Sequence, residues 1–197
     1  CSSDLKGVSG TSVAQDFVEL PSQIMEHWAV EPEVLKLYAK HYETREVIPD
    51  ELITKIQNQG TFNQGFMTTE LLAAALLDME LHNLTDTENL NVVAFEKETM
   101  DKLGLIPEIA PRYRATYFSH IIGGYAAGYY SYLWAEVLDT DAFEAFKEHG
   151  VFDKNTADSF RKNILEKGGT EDPMTLYRGF RGADPSLEPL LKNRGLK

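Results

Sequence analysis

Apolar residues recur at intervals of three and four almost from one end of the chain to the other, and strict apolar–polar alternation is scarce. A chain patterned this way buries one stripe of each helix and presents no sheet face, so the sequence predicts an all-α fold. Predicted helices occupy residues 13–30, behind a Thr11/Ser12 cap, 32–42, opened by Glu31-Pro32, and 49–60, opened by Pro49. A fourth starts at Thr68-Thr69-Glu70 and is rich in Ala and Leu through Leu81, and a fifth spans 92–103. Residues 104–114, with Pro107 and Pro111, read as an extended connector. An aromatic stretch, 118–138, follows and is interrupted at Gly123-Gly124. Helices at 141–149, 153–167, 173–180 and 186–192 complete the chain, with Gly195 as a stop signal. Lengths and connectors vary too much for an up-down bundle, so the prediction is an irregular multi-helix assembly. No repeat or linker divides it, and residues 1–197 are read as a single domain.

Composition removes several function classes. The chain has 19 basic and 31 acidic residues and a net charge of −12, which argues against nucleic-acid or anionic-membrane binding as its main task, because both usually need a basic footprint. No apolar run approaches the roughly 18–20 residues that span a bilayer. Cys1 is the only cysteine, so the chain forms no internal disulfide and no Cys-built zinc cluster. The opening Cys1-Ser2-Ser3-Asp4-Leu5-Lys6-Gly7 has neither an initiator Met nor a leader pattern, and it reads like the interior of a loop. The expectation is a piece of something longer. An acidic, cysteine-poor chain suits both cytoplasm and periplasm, and the cytoplasm is the expected compartment.

The first predicted helix carries a polar stripe. Asp16, Glu19, Gln23 and Glu26 fall at offsets of three, four and three, which places them on one helical face. Phe17, Val18, Leu20, Ile24, Met25 and Trp28 around them are too apolar for a surface helix. Carboxylates on a buried stripe each need a cation, a metal or a donor. Pro21 falls mid-helix and is expected to bend it close to Glu19. Two readings stay open on periodicity alone: a solvated stripe, or a metal or catalytic face.

The stretch from Tyr117 to Trp134 is the second signal. Tyr125, Tyr129 and Tyr132 stand at i, i+4 and i+7, so on a helix their hydroxyls line one side. Ala126, Ala127 and Gly128 leave room for close approach, and the Gly123-Gly124 break lets His120 stand opposite the tyrosines. Phenols and an imidazole aimed into one space suit a developing oxyanion; an aromatic core seam is the alternative. Arg112 and Arg114, flanking Tyr113, either clamp a substrate carboxylate or pair with the chain's own acids. His27, His41, His82 and His149 lie on different predicted helices, form no i, i+4 pair, and are read as surface or packing histidines. There is no Gly-rich phosphate loop, no nucleophile elbow and no partnered cysteine nucleophile.

Together these segments resemble the thimet oligopeptidase family of zinc metallopeptidases, and within it the peptidyl-dipeptidases. The resemblance rests on Ser9-Gly10-Thr11, on Asp16-Phe17-Val18-Glu19-Leu20-Pro21-Ser22-Gln23 with Glu26-His27-Trp28, and on Pro111-Arg112-Tyr113-Arg114. It continues through the whole 117–134 run and in Phe180-Arg181-Gly182 and Arg194-Gly195-Leu196. The resemblance implies the C-terminal portion of a zincin-like oligopeptidase catalytic domain. It implies one zinc ion, with Glu19 as the third protein ligand. Two further ligands and the general base would come from a His-Glu-x-x-His helix, which is absent from these 197 residues and is expected shortly upstream. It further implies that His120, Tyr125, Tyr129 and Tyr132 contact an oligopeptide substrate, with Tyr132 as the oxyanion stabiliser and His120 as a second catalytic group. The expected activity of the parent protein is release of C-terminal dipeptides, and the chain by itself is expected to be inactive and to bind zinc poorly. An endo-acting oligopeptidase of the same family is one alternative. An acidic helical peptide-binding module without chemistry is the other.

Overall fold

The computed structural model describes residues 5–197; the loop reading of the first four residues, Cys1 included, lies outside the described residues. Among the described residues all regular elements are helical, apart from a single bridge between Lys40 and Val47. The α-helices are α1 (Leu20–Trp28), α2 (Pro32–Tyr38), α3 (Asp50–Gln59), α4 (Gln64–His82), α5 (Val92–Lys102), α6 (Ser131–His149), α7 (Lys154–Phe160), α8 (Pro173–Arg181) and α9 (Glu188–Asn193). Short 3-10 turns occupy Lys6–Val8, Ala115–Tyr117 and Ser119–Ile122. Residues 5–62 with 134–197 form one compact unit and residues 63–133 a second, the division falling in the first turn of α6.

The first unit is built on an aromatic core. Phe17, Leu20 and Ile24 pack with Leu138, Ala142, Phe143 and Phe146 of α6, with Phe160 and Ile164, and with Leu176 and Tyr177 of α8. Burying each of these large side chains contributes about 1.5–3 kcal/mol. Trp28 meets Phe143 and Phe146 edge-on at 4.6 and 4.7 Å, and its indole N–H donates to Val151 O at 2.8 Å.

The helix carrying the polar stripe is shorter than predicted. It starts at Leu20 rather than Val13, and residues 15–19 form consecutive turns. Pro21 therefore stands in the first turn, where its missing N–H is not required, instead of bending a longer helix. Nor is the helix largely buried: Leu20 and Ile24 are inside while Met25 is 53% exposed. Asp16 lies off the helix, Asp16 and Glu19 are half-buried, and Glu26 is exposed.

Other boundaries differ as well, and the fourth helix begins at Gln64 instead of Thr68. The second helix stops at Tyr38, because the chain turns back through Arg45 at φ 62° so that His41 N donates to Glu46 O and Ile48 N to Ala39 O. Helix α6 runs unbroken through Asp139-Thr140-Asp141, where the sequence predicts a break. Those polar residues are buried and partnered: Thr140 Oγ1 donates to Glu136 O at 2.6 Å, Asp139 receives Gln23 and His27, and Asp141 receives Tyr177. The predicted 153–167 helix ends as α7 at Phe160 and widens into a π turn over Arg161–Leu165.

In the second unit α4 is apolar over most of its length and packs on two sides. Ala73 and Leu77 meet Met100 of α5, with Phe95, Leu105 and Ala115 beside them. Ala74 and Ala75 meet Phe118, Ile121 and Tyr129. Asn91 caps α5 by accepting from Ala94 N at 3.1 Å. No helix of the described residues is long and apolar enough to cross a membrane.

Candidate active site

In the first unit, Glu19 is held between two buried anchors, Phe17 and Leu20, at the residue that caps α1. The Ser22 hydroxyl lies 2.7 Å from Glu19 Oε2 and 3.0 Å from the Glu19 carbonyl oxygen, which orients the carboxylate. One turn on, Gln23 Nε2 donates to Asp139 Oδ2 at 3.0 Å, and His27 Nε2 lies 2.7 Å from Asp139 Oδ1. The His27 ring stacks on Phe143 with centroids 4.8 Å apart. Burial pushes the Asp139 carboxyl above its ordinary range, against the hydrogen bond and charge of His27, which pull it down. Of the predicted stripe, then, Gln23 faces a buried carboxylate and Glu19 is half-buried. Among the described residues no three His, Cys, Asp or Glu side chains converge closely enough to hold a metal ion.

In the second unit, the aromatic stretch does converge, but not on a helix. Residues 123–130 are consecutive turns, and Ala127 adopts φ 52°. The turns bring Tyr125 and Tyr132 into a parallel stack, centroids 5.3 Å apart and planes 9° apart. Tyr129 lies 5.1 Å from Tyr132, and His120 is edge-on to Tyr125, Tyr129 and Tyr132 at 5.7, 5.2 and 6.0 Å. Tyr113 and Phe118 back the group, each ring within about 6 Å of both His120 and Tyr129. Tyr129 is 3% exposed, and burial, reinforced by Tyr113, pushes its phenol far above the ordinary range, so it remains a donor. His120 Nδ1 is buried and has no hydrogen-bond partner among the described residues. Leaving such an atom unsatisfied costs about 1–3 kcal/mol.

The loop is fastened from beneath. Asp78 of α4, fully buried, accepts from Ala127 N through Oδ1 and from Tyr129 N through Oδ2, both at 2.9 Å. His82 Nδ1 lies 2.9 Å from Asp78 Oδ1. In the same unit Glu96, 6% exposed, accepts from Arg114 Nη1 at 2.6 Å and from Ala115 N at 2.8 Å. Arg114 is thus oriented by an ion pair with half of its side chain still exposed, and Arg112 is exposed.

Residues 1–196 match Peptidase family M3. The chain belongs to that family. It is 46% identical over 196 residues to the dipeptidyl carboxypeptidase of Escherichia coli, an alignment covering 96% of this chain and 28% of that protein. It is 42% identical over 194 residues to oligopeptidase A of Escherichia coli, covering 97% and 28% respectively. Saccharolysin of Saccharomyces cerevisiae is 33% identical over 190 residues, covering 94% and 26%. The chain therefore spans a little over a quarter of the length of these relatives.

A catalytic zinc takes three protein ligands and an open position. The described residues of this M3 chain offer it Glu19, a carboxylate of suitable chemistry, without a converging second and third ligand, so they do not build a zinc site by themselves. Sequence reasoning did not single out Asp78, Glu96, Tyr113 or Asp139. A signal for the first was present: Asp78 and Glu80 interrupt the apolar Leu71–Leu81 run, and whichever carboxylate falls on the buried side must find donors.

Proposed function

We propose that this chain is the C-terminal portion of the catalytic domain of a zinc peptidase that releases dipeptides from the free C-termini of oligopeptides. The single observation that carries the reading is the gathering of His120, Tyr125, Tyr129 and Tyr132 around one another, with a buried imidazole nitrogen that has no protein partner among the described residues. Donors so placed can meet a peptide backbone and the negative charge that develops on its carbonyl oxygen.

In this reading Glu19 is one zinc ligand and the remaining ligands lie outside this chain. The zinc supplies Lewis-acid polarisation when bound. Tyr132 donates its hydroxyl proton in a hydrogen bond to the oxyanion, and His120 provides a second contact. Tyr125 stacks beside Tyr132 and presents its hydroxyl to the substrate, while Tyr129 contacts it from the buried wall. Arg112 and Arg114 receive the substrate's terminal carboxylate, Arg114 with its guanidinium already oriented by Glu96. By itself the chain is inactive. The acidic, cysteine-poor composition is compatible with the cytoplasm, which this reading takes as the compartment of the parent protein, and its recovery in a periplasmic extract would contradict that.

A dipeptidyl carboxypeptidase at 46% identity supports the exo-acting reading, and an oligopeptidase A at 42% supports an endo-acting one. Peptides offered to the zinc-loaded parent protein with free and with amidated C-termini separate them. Stepwise dipeptide release from the free peptide alone is expected. Equal cleavage of both forms would establish the endo-acting alternative. Binding without any cleavage would leave an acidic peptide-binding module.

A further inference from the structure

We propose that Asp78 is the positioning residue of the tyrosine loop: a buried carboxylate that fixes the backbone leading into Tyr132 and so sets the aim of its phenol. The proposal rests on the reading of Tyr132 as oxyanion donor given above.

A carboxylate with no exposure, on a helix side lined by Ala74 and Ala75, is costly to keep unless its oxygens are satisfied. Both oxygens of Asp78 accept main-chain N–H groups of one loop, at Ala127 and Tyr129, each at 2.9 Å. That loop is not one its residues adopt readily. Ala127 stands at φ 52°, in the left-handed region where a Cβ crowds the following carbonyl, so an external hold is needed to keep it there. In sequence the two anchored amides fall between Tyr125 and Tyr132, whose rings stack, and Tyr129 itself carries the second anchor. His82, one turn further along α4, brings Nδ1 to 2.9 Å from both the carboxylate and the carbonyl oxygen of Asp78. The anchor is therefore braced on its outer side by a partly exposed group. Asp78 acts through the loop backbone that it anchors.

An amide in place of the carboxylate sets its NH2 against one of the two loop N–H groups, and the loop loses one point of attachment. Loss of aim at a donor used only in the transition state lowers kcat and leaves KM nearly unchanged. The test uses the zinc-loaded parent protein as wild type, Asp78→Asn, Tyr132→Phe and the double variant, with kcat, KM and zinc content measured on one dipeptide-releasing substrate. Tyr132→Phe alone is expected to lower kcat by about 10²–10³-fold, as for removal of one oxyanion donor. Asp78→Asn alone is expected to lower kcat by about 10–100-fold with KM within about threefold, and to change kcat by less than about threefold in the Tyr132→Phe background. Equal losses in the two backgrounds, or an unchanged kcat, would overturn the proposal.

An unchanged kcat in Tyr132→Phe would instead remove the role of Tyr132. In that event amide hydrogen exchange decides the anchor: the Ala127 and Tyr129 amides are expected to lose protection in Asp78→Asn, and retained protection overturns it. If Asp78→Asn does not fold, His82→Ala takes its place. It is expected to give about a three- to tenfold loss of kcat with the same non-additivity, and an additive loss overturns the proposal.

Discussion

Tyr177 is fully buried, with its hydroxyl 2.6 Å from Asp141 Oδ2 and 3.1 Å from Leu138 O. Burial, followed by the Asp141 carboxylate, drives its phenol far above the ordinary range, which favours the protonated hydroxyl as a donor. Tyr177→Phe removes that donor and leaves Asp141, itself buried, beside Arg181 Nε at 3.3 Å. The change is expected to cost about 1–3 kcal/mol, read as a lower urea midpoint at an unchanged m-value; an unmoved midpoint would show that Arg181 already satisfies the carboxylate. The same rule, that a carboxylate away from water must find donors, directs attention to Glu19 from sequence. It applies with more force to Asp78 and Glu96. Besides the Arg114 guanidinium on Glu96, their donors include Ala127 N, Tyr129 N and Ala115 N, backbone groups 49, 51 and 19 residues away, and backbone amides carry no sequence signature.

At the scale of elements, α3, α5, α8 and α9 lie within two residues of their predicted bounds. Their ends are set by local chemistry, such as the Asn91 and Asp172 caps and the prolines at the starts of α8 and α9. The start of α1 and the continuity of α6 were not legible. The first depends on the chain making turns over 15–19, and the second on buried partners for Asp139 and Asp141 contributed by α1 and α8. The helical spacing of the tyrosines led to their convergence although the segment is not helical, because an anchor on another element assembles them. A close backbone approach in the first unit was also hidden. Gly169 N donates to Val8 O at 2.8 Å, and a Cβ built on Gly169 would stand 2.2 Å from Ser12 O. Gly169→Ala must displace the segment that leads toward Glu19, at an expected cost of about 1–3 kcal/mol in thermal or urea unfolding. Wild-type stability in this variant would show that the 8–12 segment moves aside freely.

At the scale of the whole molecule, membership of Peptidase family M3 and a span of about 28% of the relatives' length fit a chain that brings part of a site. The motifs made the family legible, since they are long and occur in order across the chain. The division into two compact units was not, because no composition shift or linker marks residues 62–63 or 133–134. In the proposed function this chain contributes Glu19 to a zinc that the parent protein completes. Metal analysis of the purified full-length parent and its Glu19→Ala variant, with melting followed alongside, tests this most directly. One zinc per wild-type chain is expected. Its loss is expected in Glu19→Ala, and the half-buried position of Glu19 predicts that the fold survives without the carboxylate. A full equivalent of zinc retained by Glu19→Ala would contradict the assignment and move the metal to other ligands.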